Sequence, residues 1–118
     1  MTALRFGFVV VYVQDMAKAK RFYTEVLGLR VEREAPTFIQ FEHFALASDE
    51  RVSKGSSEPE IYWLVDDAEA AHREIAAKAE ISRKLETLPF GKVFGVRDPD
   101  GGTRLVLELA RNRPSKAL

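Results

Sequence analysis

The sequence has no cysteine. A disulfide framework, a thiolate metal site and a cysteine nucleophile are all excluded. Neither sign of charge is in excess, because 18 Lys and Arg residues balance 18 Asp and Glu. The basic residues stand singly among acids, so there is no electrostatic footprint for nucleic acid or anionic lipid. No apolar run approaches the roughly 18 residues of a membrane span. The opening "MTALRFGFVVVYV" is apolar, but aromatic and β-branched residues dominate it. It lacks a charged n-region and a small-residue cleavage site, so it reads as a strand and the default location is the cytoplasm. A glycine-rich phosphate loop is also missing: "GKVFG" has the wrong spacing and follows no strand–helix turn. No serine stands in a nucleophile-elbow pattern.

What is present is enough for one domain. A chain of 118 residues, 46% of them hydrophobic, can bury a real core. "LRFGFVVVYV" reads as a buried strand. Asp15 follows as an N-cap. Met16, Ala19, Phe22, Tyr23, Val26 and Leu27 then recur at spacings of three and four, one apolar helical stripe. Gly28 ends that helix. "LRVERE", "TFIQF" and "FALAS" are three strands, with Pro36 stopping the first and Glu42-His43 turning between the last two. Residues 48–59, "SDERVSKGSSEP", form a polar loop. The order then recurs: strand "EIYWLV", cap Asp67, and a stripe of Ala68, Ala71, His72, Ile75, Ala76 and Ala79. Strands "AEISRKLET", "KVFGVRD" and "TRLVLELA" follow, the last two joined by the turn "RDPDGGT". The tail "RNRPSKAL" is polar and expected to fray.

Shifting the chain by 52 residues brings Asp15 onto Asp67, Arg21 onto Arg73, Tyr23 onto Ile75, Val9 onto Ile61 and Phe8 onto Glu60. Each half is one βαβββ unit of about 55 residues, too short to be stable alone. The expected fold is α+β, a single domain over 1–118 with one main helix per module. Module one covers about 4–50, a linker about 51–59, module two about 60–110, and the tail 111–118.

The segments "VVVYVQDMAKAKRFYTEVLGLRV", "IYWLVDDAEAAHREI" and "RDPDGGTRLVLEL" resemble the vicinal oxygen chelate superfamily of glyoxalase I, extradiol dioxygenases and bleomycin- and fosfomycin-resistance proteins. The resemblance covers about residues 5–110. It implies two curved sheets closing into a mixed-sheet cup, often across a dimer interface. In the enzymes of that superfamily, His or Glu at four strand positions holds a divalent metal in the cup. The resemblance puts Phe8 at the first position, which lies seven residues before the Asp15 cap. The second falls within Ala45–Ala47, the third at Glu60, and the last at Leu105 or Val106, the extra Gly102 leaving that register open. Glu60 is the one surviving candidate, and a single carboxylate is not a metal site where catalytic centres use three protein ligands. No metal and no other cofactor is therefore expected.

Strand alternation puts Phe6, Phe8, Val10 and Tyr12 toward the cup, with Glu60, Tyr62 and Leu64 on the matching face of the later strand. Val9, Val11 and Val13 would back the helix, and Ile61, Trp63 and Val65 would face away from the cup. Phe94, or one of the Phe38–Phe44 aromatics, would extend the lining. Glu108 lies two residues beyond Val106, on its face. The ligand-binding set is therefore Phe6, Phe8, Tyr12, Glu60, Tyr62, Phe94, Val106 and Glu108. For Glu60 two readings stand, a carboxylate paired with a nearby Arg or Lys at a strand start, or a ligand contact. His72 reads as a core or interface histidine and His43 as a solvated turn residue.

An apolar, aromatic surface with few polar groups suits a small organic molecule. The expected function is metal-independent binding of an aromatic or amphipathic ligand, similar to bleomycin-resistance proteins, with no catalytic residue assigned. The alternatives are a lyase, isomerase or dioxygenase of the same superfamily with an altered metal set, and a partner module whose cup has closed into core. A homodimer is expected, because two short sheets leave edges and apolar surface that a second copy can cover. Nucleic acid and membrane are not expected partners.

Overall fold

The computed structural model describes residues 3–49, 51, 52 and 59–110. Its elements are β1 Arg5–Tyr12, α1 Met16–Arg21, β2 Arg33–Ala35, β3 Phe38–Gln40, β4 Phe44–Ala47, β5 Glu60–Leu64, α2 Ala68–Ala76, β6 Ile81–Leu88, β7 Gly91–Arg97 and β8 Thr103–Leu109. This is the expected α+β order, βαβββ followed by βαβββ. Residues 111–118, and the linker at 50 and 53–58, lie outside the described residues. No helix among the described residues is long and apolar enough to cross a membrane. The chain divides into two compact units. One is Phe8–Glu60, and the other joins the N-terminal residues through Gly7 to the chain from Ile61 onward.

In the Phe8–Glu60 unit, β2, β3 and β4 are antiparallel neighbours and β4 runs parallel to β1. The Asp15 carboxylate accepts the Lys18 N–H at 3.0 Å, capping α1. Val11, Val13, Met16, Ala19 and Tyr23 pack on a core of Ile39, Phe41 and Leu46, so β1 does turn Val11 and Val13 toward the helix. The helical stripe departs from expectation after its second turn. Phe22–Val26 winds more widely, with the Leu27 N–H reaching back five residues to the Phe22 carbonyl at 3.1 Å. Widening rotates the later side chains off the stripe, and Phe22, Val26 and Leu27 are exposed where core was expected. Gly28 ends the helix at φ +75°. The strand expected over "LRVERE" is shorter, beginning only at Arg33.

In the other unit β5 is parallel to β8, and β8, β7 and β6 are antiparallel in that order. Asp67 caps α2 by accepting the Ala70 N–H at 3.0 Å. Ala68 and Ala71 have only methyl side chains, so α2 lies close on Val65, Phe94 and Val106, with Ile75, Ile81, Leu85 and Val96 around them. Asp98 organises the β7–β8 turn. Its carboxylate accepts the N–H groups of Asp100 and Gly102 and pairs with Arg104 at 2.6 Å. The Gly102 amide is the main cause that holds its carboxyl below the ordinary value; desolvation opposes it, and Arg104's charge and the Asp100 amide add to the lowering.

Candidate functional site

The register of the Phe8–Glu60 unit sets Val10 beside Ala45 and Tyr12 beside Ala47, with Gln40 and Phe38 beyond them on β3. Residues in register share a face, so Phe8, Val10, Tyr12, Ala45, Ala47 and Phe38 lie together, opposite α1. The alanines leave room above β4. The rings of Phe8 and Phe38, one on each side of it, meet edge-on at 6.1 Å.

Glu60 opens β5 with only 3% of its surface exposed. The Tyr12 hydroxyl donates to its Oε1 at 2.8 Å. Arg51 lays its guanidinium over the Tyr12 ring, 4.8 Å from the centroid. A buried carboxylate, a phenol and a guanidinium are thus arranged in series. The strand-start position of Glu60 is as expected. It is more buried than expected, and the Tyr12 phenol is one of its partners. Both Tyr12 and Glu60 stood out in the sequence, but nothing there joined them. Arg51 was missed, because it is one basic residue in a polar loop.

The other unit corrects part of the expected lining. Tyr62 is in register with Leu105, while Trp63 is in register with Val106, which faces Phe94. Phe94 and Val106 therefore lie on Trp63's side, wholly buried beneath α2. Of the two candidates at the last ligand position, Leu105 shares Tyr62's face. Glu108, in register with Lys92, is also on the α2 side. Its Oε1 accepts the Ala68 N–H at 2.9 Å, at the first turn of α2. A one-residue error of register after Gly102 moved Val106 and Glu108 to the wrong face, and Phe94 follows Val106 through its pairing on β7. Tyr62 is buried and meets Phe90 edge-on at 6.4 Å. Phe6 is exposed and sets its ring edge-on to Trp63 at 5.5 Å. That contact joins it to the aromatic expected to face away.

A family model described as Glyoxalase/Bleomycin resistance protein/Dioxygenase superfamily matches residues 5–104. The chain belongs to that superfamily. Among solved structures, a Legionella pneumophila protein described as an NAD-dependent benzaldehyde dehydrogenase is 25% identical, with a TM-score of 0.71 over 87% of this chain and 98% of that one. A glyoxalase/bleomycin resistance protein/dioxygenase superfamily member from Vibrio splendidus 12B01 is also 25% identical, with a TM-score of 0.62 over 90% and 99% of the two chains. The Mn(II)-bound glyoxalase from Novosphingobium aromaticivorans shares the fold at 20% identity and a TM-score of 0.54, over 92% of this chain and 40% of its own. No curated protein matches the chain.

Superfamily enzymes with a divalent ion need donor atoms at their strand positions, and of the positions the resemblance assigns in this glyoxalase-superfamily chain only Glu60 has one. Phe8, the Ala45–Ala47 stretch and Leu105 offer only carbon in their side chains. Glu60 offers oxygen, but its Oε1 already accepts the Tyr12 phenol. Among the described residues no three His, Asp or Glu side chains gather to hold an ion. His43 is exposed at its turn, 3.8 Å from Glu42, and half-buried His72 stands edge-on to Phe94 at 5.1 Å. These residues do not fit the metal centre of the enzymes. A shallow groove between α1 and β2, lined by Met16, Pro36 and Ile39, is bounded by the Lys20–Glu34 ion pair at 2.9 Å.

Proposed function

We propose that this chain is a small-molecule-binding member of the superfamily that works without a resident metal. Its ligand is an aromatic or amphipathic compound carrying a positive charge or a hydrogen-bond donor. The observation that carries this reading is the chemistry of the ligand positions. Only Glu60 retains oxygen there, and its Oε1 accepts the Tyr12 phenol. The same substitutions make the face of Phe8, Tyr12 and Phe38 apolar and aromatic, which favours an organic ligand over a hydrated ion. The dehydrogenase activity named for the Legionella protein is not carried across, since no glycine-rich phosphate loop follows a strand here. A cytoplasmic location goes with this reading, as nothing in a cysteine-free chain calls for an oxidising compartment.

The test is metal analysis of protein purified without chelator, together with thermal-shift screening of planar aromatic amines and acids with and without EDTA. Zinc, nickel, manganese and iron should each stay far below one per chain. An aromatic amine at about a hundred times its Kd should stabilise the fold by roughly 2.7 kcal/mol, whether or not EDTA is present. Near-stoichiometric metal that Glu60→Gln removes, or stabilisation that appears only when metal is added, would replace this reading with a metal-dependent enzyme.

A further inference from the structure

Tyr12 gives a hydrogen-bond chain its direction. A phenol has one proton, and that of Tyr12 goes to Oε1 of Glu60 at 2.8 Å. A carboxylate oxygen only accepts, so the chain runs one way. Toward any further partner the phenol oxygen can itself only accept. Glu60 is 3% exposed, while Tyr12 is half-buried, so a ligand on this side meets the phenol before the carboxylate. Arg51, also half-buried, sets the charge there, with its guanidinium 4.8 Å from the centroid of the Tyr12 ring. Tyr12 shares its face with Phe38, and the methyl group of Ala47 lies in register between the two. An aromatic ligand packed on that face therefore lies beside both the phenol and the guanidinium.

We propose that Tyr12 and Arg51 together select the polar group of the ligand. An uncharged hydroxyl, or an uncharged amino group on an aromatic ring, donates to the phenol oxygen, and an ammonium group is rejected. The inference rests on the ligand reading and narrows it, keeping the hydrogen-bond donor and dropping the positive charge. A ligand carbonyl, ether or carboxylate has no proton to give, and the phenol has none left for it. An anion pairing with Arg51 would set its oxygens against that acceptor. An ammonium can donate, so hydrogen bonding alone would admit it, and charge decides the matter. One face of the Tyr12 ring, the surface that attracts a cation, already carries a guanidinium. A second cation at the phenol would stand close to the first, where partial burial leaves little water to screen the repulsion. Glu60 does not cancel this, because its carboxylate lies behind the phenol and its Oε1 is already engaged. Arg51 is thus the residue that discriminates between donors by charge.

Four probes of one shape test this: benzyl alcohol, benzylamine, benzoate and toluene, titrated into the full chain at neutral pH with amide NMR signals as the readout. Benzyl alcohol should bind about tenfold tighter than toluene or benzoate, and about tenfold tighter than benzylamine, an ammonium ion at that pH. Tyr12→Phe should erase the advantage of the alcohol over toluene. Arg51→Gln leaves the Tyr12–Glu60 hydrogen bond in place, so it keeps the test open if Tyr12→Phe fails to fold. It should tighten benzylamine about tenfold and move the alcohol by less than about threefold, while Arg51→Lys, which keeps the charge, should still reject benzylamine. Benzylamine or benzoate binding as tightly as the alcohol, or a selectivity that Arg51→Gln leaves unchanged, would overturn the inference while the ligand reading stands. If none of the four probes moves the amide signals, the ligand reading falls and this inference falls with it.

Discussion

Removing one oxygen atom tests the Tyr12–Glu60 contact. Tyr12→Phe keeps the ring under Arg51, so the cation–π contact stays and the loss is confined to the hydroxyl. The hydroxyl donates at 2.8 Å to a carboxylate that is 3% exposed, where water is a poor substitute. Hydrogen bonds to charged groups contribute about 1.5–3 kcal/mol, and leaving a buried acceptor short of a donor costs a similar amount. Tyr12→Phe should therefore cost about 1.5–3 kcal/mol, or roughly 5–15 °C in melting temperature for a domain of this size. Glu60→Gln keeps an acceptor oxygen and should cost less, roughly 0.5–1.5 kcal/mol. Combining Tyr12→Phe with Glu60→Leu removes both polar partners. The double variant should lose less than the two single changes added, by about 1 kcal/mol or more. Urea unfolding followed by circular dichroism measures each value. A Tyr12→Phe cost inside the roughly 0.5 kcal/mol typical of surface substitutions would show that the phenol does not support Glu60.

Three further outcomes follow from local geometry. Gly28→Val should cost at least about 1 kcal/mol from backbone strain alone, because a Cβ there meets nothing within 4 Å and only the positive φ opposes it; Gly28→Asn, tolerant of that φ, should cost less, and equal urea midpoints for both would refute this. Glu108→Ala should destabilise by about 1 kcal/mol through loss of the Ala68 N–H contact and its favourable charge at the α2 N-terminus, and hydrogen exchange should speed up first at Ala68. Asp98 is charged more readily in the fold than in the unfolded chain, so its stabilisation is complete above the ordinary value of 3.8 and is lost as pH falls through its lower folded value. The stability gap between wild type and Asp98→Asn should accordingly be widest near neutral pH and close in acid, and a gap that persists at the acid end would contradict that origin.

The elements were legible because each had a local cause. Asp15 and Asp67 cap their helices as their positions suggested, Gly28 takes the left-handed conformation, and the Asp98 turn separates two strands where "RDPDGGT" breaks the apolar runs. Faces were harder, because side-chain direction alternates with every residue. Val11 and Val13 were assigned to the helix side correctly from the chain up to Asp15. After the double glycine at 101–102 no local signal fixed the register, so Val106 and Glu108 were grouped with Tyr62 when they lie on the α2 side, and Phe94, on the strand before it, was likewise assigned to the wrong face. Periodicity failed differently in α1. It identifies the side of a regular helix, and Phe22–Val26 is not regular. Contacts distant in sequence were out of reach altogether: Tyr12 and Glu60 are 48 residues apart, and nothing in either strand indicates the other.

The repeat explains why the two copies need not do the same thing. One plan places Phe8 and Glu60 at the same point of each module, yet one is a hydrocarbon and the other a carboxylate held by a phenol. If both positions held metal donors, each substitution would be opposed by loss of the ion. Once Phe8 supplies no donor, the carboxylate at Glu60 gains nothing from coordination and is kept only if another contact uses it. Tyr12 supplies one such contact within the fold. It makes Glu60 costly to replace even without a metal, because a buried carboxylate is stable only while its hydrogen bonds are made. The helices diverge by the same logic. Ala68 and Ala71 let α2 lie flat on Phe94 and Val106, with Glu108 tying down its first turn. The far end of the first helix bears Phe22, Val26 and Leu27, where the repeat has Glu74, Lys78 and Ala79, and these apolar side chains stand exposed at the widened turn. One module is closed by its own residues, and the other keeps apolar side chains in solvent.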